Sequence, residues 1–479
     1  MCCKNCLILY HAAVYNSGMI RYTALLFAFA AATVGAAPAA PVPVTAADAQ
    51  LQQKLQDVLR AMVKSGSEDF YDAASLVLNA TGDESAFLPM MEKASAAGSS
   101  AAQYWLAMRL LPVAVPGTAE YTRLEQLVNK AVSGKYSPAM ILASQLKAET
   151  NPTAALTVLM EACRLGNAKA RALYLLQSGR LPNGNLSLPE VASELKKNNH
   201  YLEEIIANMQ TTELKAFEWM QKASAHGSST APYILSQTLM PGDTEDDCLK
   251  RLITAADRHN VMALYMYGLV NLRGNEFYEG VQNNAAEAKR LLQLAAMLGA
   301  PEAAVQLAVF YSTGELPGGD AARIYRLFEY ASQCGIPAGM AGVGVCKVLG
   351  AGCKADAEGG LKLLNAVREK GDQWVNKALA SLYFNGCGGL KPDLRKALDY
   401  LTEDAAQGGY YSYAIAAGLA AVGNSVTPPD ASMADYYLNT ALSNPEIAGM
   451  AREIYDVILA AKGWRFMPVL EQSVPNEQK

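Results

Sequence analysis

Histidine, cysteine and paired carboxylates are the residues that could carry acid–base, nucleophilic or metal chemistry, and this chain uses them sparingly. Beyond its first forty residues the histidines are His200, His226 and His259. His226 and His259 each stand one residue before a Gly or Asn that ends a helical stretch. A cationic or hydrogen-bonding side chain there suits the negative end of the helix dipole. The two lie one period of the chain's repeat apart, roughly 10 Å at usual helix packing distances, too far to share a metal. No HExxH and no His/Cys cluster is present, so neither a metal nor a cofactor is expected.

The cysteines beyond the leader are Cys163, Cys248, Cys334, Cys346, Cys353 and Cys387, with no CxxC among them. Cys353 and Cys387 occupy related turns of adjacent repeats. A disulfide between them needs Cα atoms within about 7 Å, against a repeat spacing near 10 Å. Cys346 should sit over two turns up a helix from Cys334, roughly 13 Å away at ~1.5 Å per residue. Most of these side chains read as small buried hydrophobes. Gly342-x-Gly344 and Gly386-x-Gly388-Gly389 follow no strand and carry no GK[ST], which excludes a phosphate loop. No GxSxG elbow appears. Asn79-Ala-Thr81 and Asn185-Leu-Ser187 are glycosylation sequons by pattern, relevant only in a eukaryotic secretory pathway. Glu190, Glu194 and His200 are the one acid–base group a hydrolase reading could use, and no supporting frame surrounds them.

Stepping outward from these residues, the chain is organised by a helical repeat. It has 479 residues, 51% hydrophobic, with few aromatics and abundant alanine, which favours helix. The formal charge is −5, giving no electrostatic footprint for nucleic acid. The pattern predicts second helices that end at Gly98, Gly134, Gly166, Gly227, Asn260, Gly299, Gly335, Gly371, Gly408 and Asn444, at successive spacings of 36, 32, 61, 33, 39, 36, 36, 37 and 36 residues. Gly and Asn tolerate the left-handed conformation that follows a helix. Fifteen residues before each corner stand Asp83, Ala119, Asn151, Thr212, Glu245, Asn284, Asp320, Asp356, Asp393 and Pro429, seven of the ten being Asp, Asn or Thr, the helix-capping types. Seven residues before the first nine corners, every residue from Met91 to Leu401 is apolar, which marks a core position. First helices share the spacing Asn271–Gly274, Tyr311–Gly314, Lys347–Gly350 and Tyr383–Gly386, each with a small residue three positions ahead.

Residues 378–408 resemble the Sel-one-like repeat, a tetratricopeptide-related helix pair of about 36 residues. Leu379-Ala380, Tyr383, Gly386, Asp393, Lys396-Ala397, Tyr400, Ala405-Ala406 and Gly408 carry the likeness. The resemblance implies an all-α fold, a right-handed α-solenoid of about ten stacked helix-turn-helix repeats, used as an adaptor with no chemistry of its own. The disulfide that bridges each repeat in some cysteine-rich members has no counterpart here, because the position paired with Cys163 carries Arg171.

The domain reading follows. Residues 1–39 form a leader in which Arg21, the apolar run Ala24–Val34 and the small residues to Ala40 make a secretory signal, with translation starting at Met19 and cleavage after Ala36 or Ala39. Its removal takes away Lys4 and Arg21 and no acid. Residues 40–46 are an Ala/Pro linker and 47–66 an N-terminal capping helix. Residues 67–443 are the solenoid, with a loop and one or two extra helices near 179–210 packed on one face. Residues 444–479 are a closing helix and tail in which Trp464, Phe466 and Met467 cover the last core layer. No apolar run is long enough to span a bilayer, which takes roughly 20 residues, and Asn476-Glu477-Gln478-Lys479 is no retention signal.

Curvature of a solenoid builds a groove lined by first helices. Tyr174, Tyr233, Tyr265, Tyr267, Tyr311, Tyr383 and Tyr413 lie on those helices, and tyrosine offers both apolar area and a hydroxyl. The expectation is a non-catalytic, secreted or periplasmic scaffold that binds a protein or peptide in its groove. A cell-envelope component binding glycan or peptidoglycan through the same tyrosines is the alternative.

Overall fold

A computed structural model describes residues 46–467 and 470, apart from 182–185, 187, 239–242, 278–280, 372 and 410. The leader and its signal segment, and the Asn185 sequon, lie outside the described residues. The described chain is helical, with no β-strand element, and its helices pack in successive pairs as an α-solenoid. Two compact units divide it, one running to Ala300 and one beginning at Pro301.

The first unit holds fifteen helices: α1 (Ala46–Ser65), α2 (Tyr71–Thr81), α3 (Phe87–Ala96), α4 (Ser100–Leu110), α5 (Ala119–Ser133), α6 (Ser137–Lys147), α7 (Pro152–Arg164), α8 (Ala168–Gln177), α9 (Pro189–Lys196), α10 (His200–Asn208), α11 (Glu213–Ala225), α12 (Thr230–Ser236), α13 (Glu245–Asp257), α14 (Val261–Phe277) and α15 (Ala285–Leu298). The second unit holds α16 (Pro301–Thr313), α17 (Ala321–Gln333), α18 (Pro337–Leu349), α19 (Ala357–Arg368), α20 (Gln373–Asn385), α21 (Leu394–Ala406), α22 (Ser412–Val422), α23 (Ala431–Leu442) and α24 (Ala448–Ala461).

The local reasons are visible at the helix ends. Asn151, Asn284, Asp320, Asp356 and Asp393 each accept a hydrogen bond from an amide of the first turn, as their side chains dictate. Three caps sit one residue from their expected places: Thr118, Thr244 and Asp430 do this work rather than Ala119, Glu245 and Pro429. Gly98, Gly166, Gly227, Gly299, Gly335, Gly371 and Gly408 turn the corner with positive φ. At two corners the left-handed residue is a neighbour of the expected one: Lys135 (φ 58°) and His259 (φ 61°). The His259 corner moves the whole register of α13 by one. Leu252 takes the core position, while Ile253 is only partly covered.

The 61-residue interval is not an appendage laid on one face. Asn198 has φ 56° and makes a hidden corner, so Gly166 to Asn198 and Asn198 to Gly227 are two short repeats. Their helices α8, α9 and α10 share a core of Ala172, Leu175, Val191, Leu202 and Ile206.

In the first unit the array returns on itself. Helix α15 packs against α2 and the 3₁₀ turn Glu84–Ala86, and Leu294 and Met297 join the core built by α1–α6. In the second unit α18 lies so close to α17 that a Cβ at Gly342 would run into the Phe328 ring. Phe328 itself is wholly buried. Past α24, Trp464 enters the core with Ile454 and Ile458, and Phe466 meets Trp374 of α20 edge-on at 5.2 Å.

Candidate functional site

The polar centre of the first unit is the irregular segment between α1 and α2, Ser67–Phe70. Its composition explains why it is held. Ser67 offers a carbonyl that accepts the Tyr136 hydroxyl, and Glu68 and Asp69 offer two adjacent charges. Glu68 Oε1 receives Lys169 Nζ at 2.6 Å, and its other oxygen accepts the Tyr104 hydroxyl at 3.4 Å. Asp69 Oδ2 lies 2.7 Å from His259 Nδ1, a contact between residues 190 positions apart. The His259 ring lies flat on Tyr71, centroids 3.7 Å apart and planes 2° apart. Arg290, itself paired with Glu287, donates to the Tyr71 hydroxyl at 3.1 Å. Beyond it, Gln293 donates at 2.8 Å to the buried carboxylate of Glu84. Tyr104 of α4, Tyr136 just before α6, Lys169 of α8 and His259 just before α14 thus hold one stretch of the same chain, and Arg290 of α15 holds the Tyr71 that follows it.

Beside this segment is a cavity of about 320 Å³. The N-terminal turns of α8, α10 and α14 face it through Lys169, Tyr201 and Val261, so the positive ends of three helix dipoles converge there. Arg258 also lines it. Its Nη1 donates to the carbonyls of Ser224 and Ser228, both at 2.7 Å, closing the end of α11. Burial raises the Tyr104, Tyr136 and Tyr201 hydroxyls well above the usual tyrosine range, and the Glu68 charge raises each further. Tyr104 and Tyr136 act as neutral donors, to Glu68 and to the Ser67 carbonyl.

The expected tyrosines fall elsewhere. Tyr265 and Tyr311 are buried in the core, 3% and 1% exposed, and have no surface to give a partner. At these two positions the residue packs neighbouring helices. Tyr174, Tyr233, Tyr267, Tyr383 and Tyr413 are half-buried. Tyr383 stacks on Tyr400 and Tyr413 on Tyr437. None of the seven lines the cavity. The tyrosine that does is Tyr201, whose neighbour His200 was the only sequence signal near it.

The histidines also differ from the dipole reading. His226 Nδ1 lies 2.8 Å from Glu203, a carboxylate almost fully buried, and His259 answers Asp69. Each is held by a carboxylate from another element. The three residues of the hydrolase reading are drawn apart by separate partners: Glu190 pairs with Arg180, Glu194 with Arg171 and Lys197, and His200 with Glu204. Burial by itself would raise the Glu194 carboxyl, but hydrogen bonds from Lys197, Asn199 and Arg171 hold it below the ordinary glutamate range.

The second unit has a cavity of about 450 Å³ lined by Tyr325, Lys347, Cys353 and Asp356. Burial raises the Cys353 thiol, against the pull of Lys347, and raises that of fully buried Cys346 much further. Both stay protonated thiols near neutral pH, which is the wrong form for a nucleophile. Cys163, Cys346 and Cys353 are free thiols. Among the described residues no group of three or more His, Cys, Asp or Glu side chains could hold a metal. No helix among them is long and apolar enough to cross a membrane.

No family model matches the chain, and no curated protein does. Solved structures similar to it include a Sel1 repeat protein from Oxalobacter formigenes, 23% identical over 50% of this chain and 99% of that one, TM-score 0.37. A protective antigen with an SLR fold from uropathogenic Escherichia coli strains is 15% identical, with 88% and 89% covered and TM-score 0.39. An immunity protein from Pseudomonas aeruginosa is 20% identical, with 52% and 88% covered and TM-score 0.29. Sel1-repeat and SLR-fold proteins are thus among the structures this chain is similar to, as residues 378–408 are to the Sel-one-like repeat.

Proposed function

We propose that the protein is a non-catalytic repeat scaffold that binds a protein or peptide, exported from the cytoplasm by the segment around residues 19–39. One observation carries the binding reading. Tyr136, Lys169 and His259, at the starts of α6, α8 and α14, already hold polypeptide, the chain's own, through a backbone carbonyl, two carboxylates and one aromatic ring of residues 67–71. Helical repeats with that capacity suit an extended partner. Cross-linking in intact cells that express the full chain, followed by reconstitution of residues 40–479 with the purified candidate, tests the reading. It fails if no extracytoplasmic protein or peptide reconstitutes with the purified chain.

The glycan alternative is favoured by one feature of the second unit. Tyr436 is 65% exposed and sits against Tyr437, which stacks on Tyr413. Sugar rings pack well on such aromatic faces. Sedimentation with purified cell wall separates the two readings, because a protein adaptor stays in the supernatant.

A further inference from the structure

We infer that the cavity beside Ser67–Phe70 is a binding site for an oxyanion, a carboxylate or phosphoryl group, held by Arg258, Tyr201 and Ser229. This goes beyond the scaffold reading, and it rests on which donors the fold leaves over. The acids lining the cavity are already matched: Glu68 by Lys169 at 2.6 Å and Asp69 by His259 at 2.7 Å. Arg258 is not. Its Nη1 is engaged by two neutral carbonyls, and it forms no ion pair with a carboxylate among the described residues. Its Nε and Nη2 make no hydrogen bond there either.

The two hydroxyls are in the same position. Ser229 precedes α12 but makes no side-chain cap bond. Tyr201 has no hydrogen-bond partner for its hydroxyl among the described residues, and burial keeps that hydroxyl protonated. All three groups line one cavity of about 320 Å³, ample for a phosphate or a carboxylate-bearing side chain. A guanidinium edge with two hydroxyls able to donate matches an anion with several lone pairs. The N-terminal turns of α8, α10 and α14 add favourable potential. The occupant is either a small free anion or an acidic group on a bound peptide; the chemistry is common to both.

Calorimetric titration of the full chain separates them. The probes are inorganic phosphate and a blocked peptide carrying one aspartate, with the asparagine peptide as control. Saturable binding of phosphate or of the aspartate peptide is expected, and the tighter probe names the source. Tyr201→Phe with Ser229→Ala should weaken it roughly tenfold or more while the melting temperature without ligand is unchanged. Arg258→Lys keeps the charge and a donor for the two carbonyls but loses the second edge, and should weaken binding comparably. Absence of saturable binding of both probes overturns the inference. So does binding that is undiminished in both variants, or equal affinity for the asparagine peptide.

Discussion

At the scale of single residues, the telling groups are those whose ordinary chemistry the fold has suppressed. Glu194 in α9 is ionised, nearly buried and held by three donors. A carboxyl with a lowered pKa stabilises the fold at pH values above the unfolded value of roughly 4.3, and that contribution is lost as pH falls through the folded value. Glu194→Gln should therefore cost about 1–3 kcal/mol at neutral pH. The gap from wild type should narrow below about pH 4, as measured by urea unfolding at several pH values. The buried tyrosines act in the opposite direction. Their raised pKa values give stability that is intact below about pH 10 and lost as pH rises through the folded values. Ultraviolet titration at about pH 11 should find Tyr104, Tyr136 and Tyr201 still neutral in the folded protein and ionised once it unfolds. Cys346 should likewise resist alkylation in the native state and react at once in denaturant, with Cys353 intermediate; fast labelling of Cys346 in the folded chain would contradict its burial.

At the scale of elements, the helix pair was legible because its corners and caps use few residue types. Gly299, Gly335, Gly371 and Gly408 announce themselves, and so do Asp320, Asp356 and Asp393. The reading slipped where two candidates stood side by side, as at Thr118 beside Ala119 and His259 beside Asn260, because capping chemistry decides between neighbours and period alone does not. The hidden repeat escaped because its corner is an Asn within Lys197-Asn198-Asn199-His200 and α9 has only eight residues, too few to show a period. The cavity was not legible at all, since Glu68, Lys169, Tyr201 and Arg258 are brought together by the return of the chain and by no local pattern. Packing between elements is tight enough to test: Gly342→Ala should cost about 1–3 kcal/mol through its clash with Phe328. Adding Phe328→Leu should return part of that loss, and strict additivity of the two changes would refute the contact.

At the scale of the whole molecule, stability in repeat proteins is largely a sum over neighbours. Replacing Asp69 and Arg290 together by alanine removes two of the contacts that join the ends of the first unit. Hydrogen exchange should then quicken in α2, α13 and α15, while α18–α21 keep their protection; equal quickening in all of them would argue against a sum over neighbours. The return of α15 onto α2 also sets a timetable. Tyr71 meets Arg290 across 219 positions, and synthesis adds roughly 5–20 residues per second. For on the order of 10–45 s the leading helices wait with their last neighbour still unmade, a window in which a chaperone meets a chain that is not yet able to close.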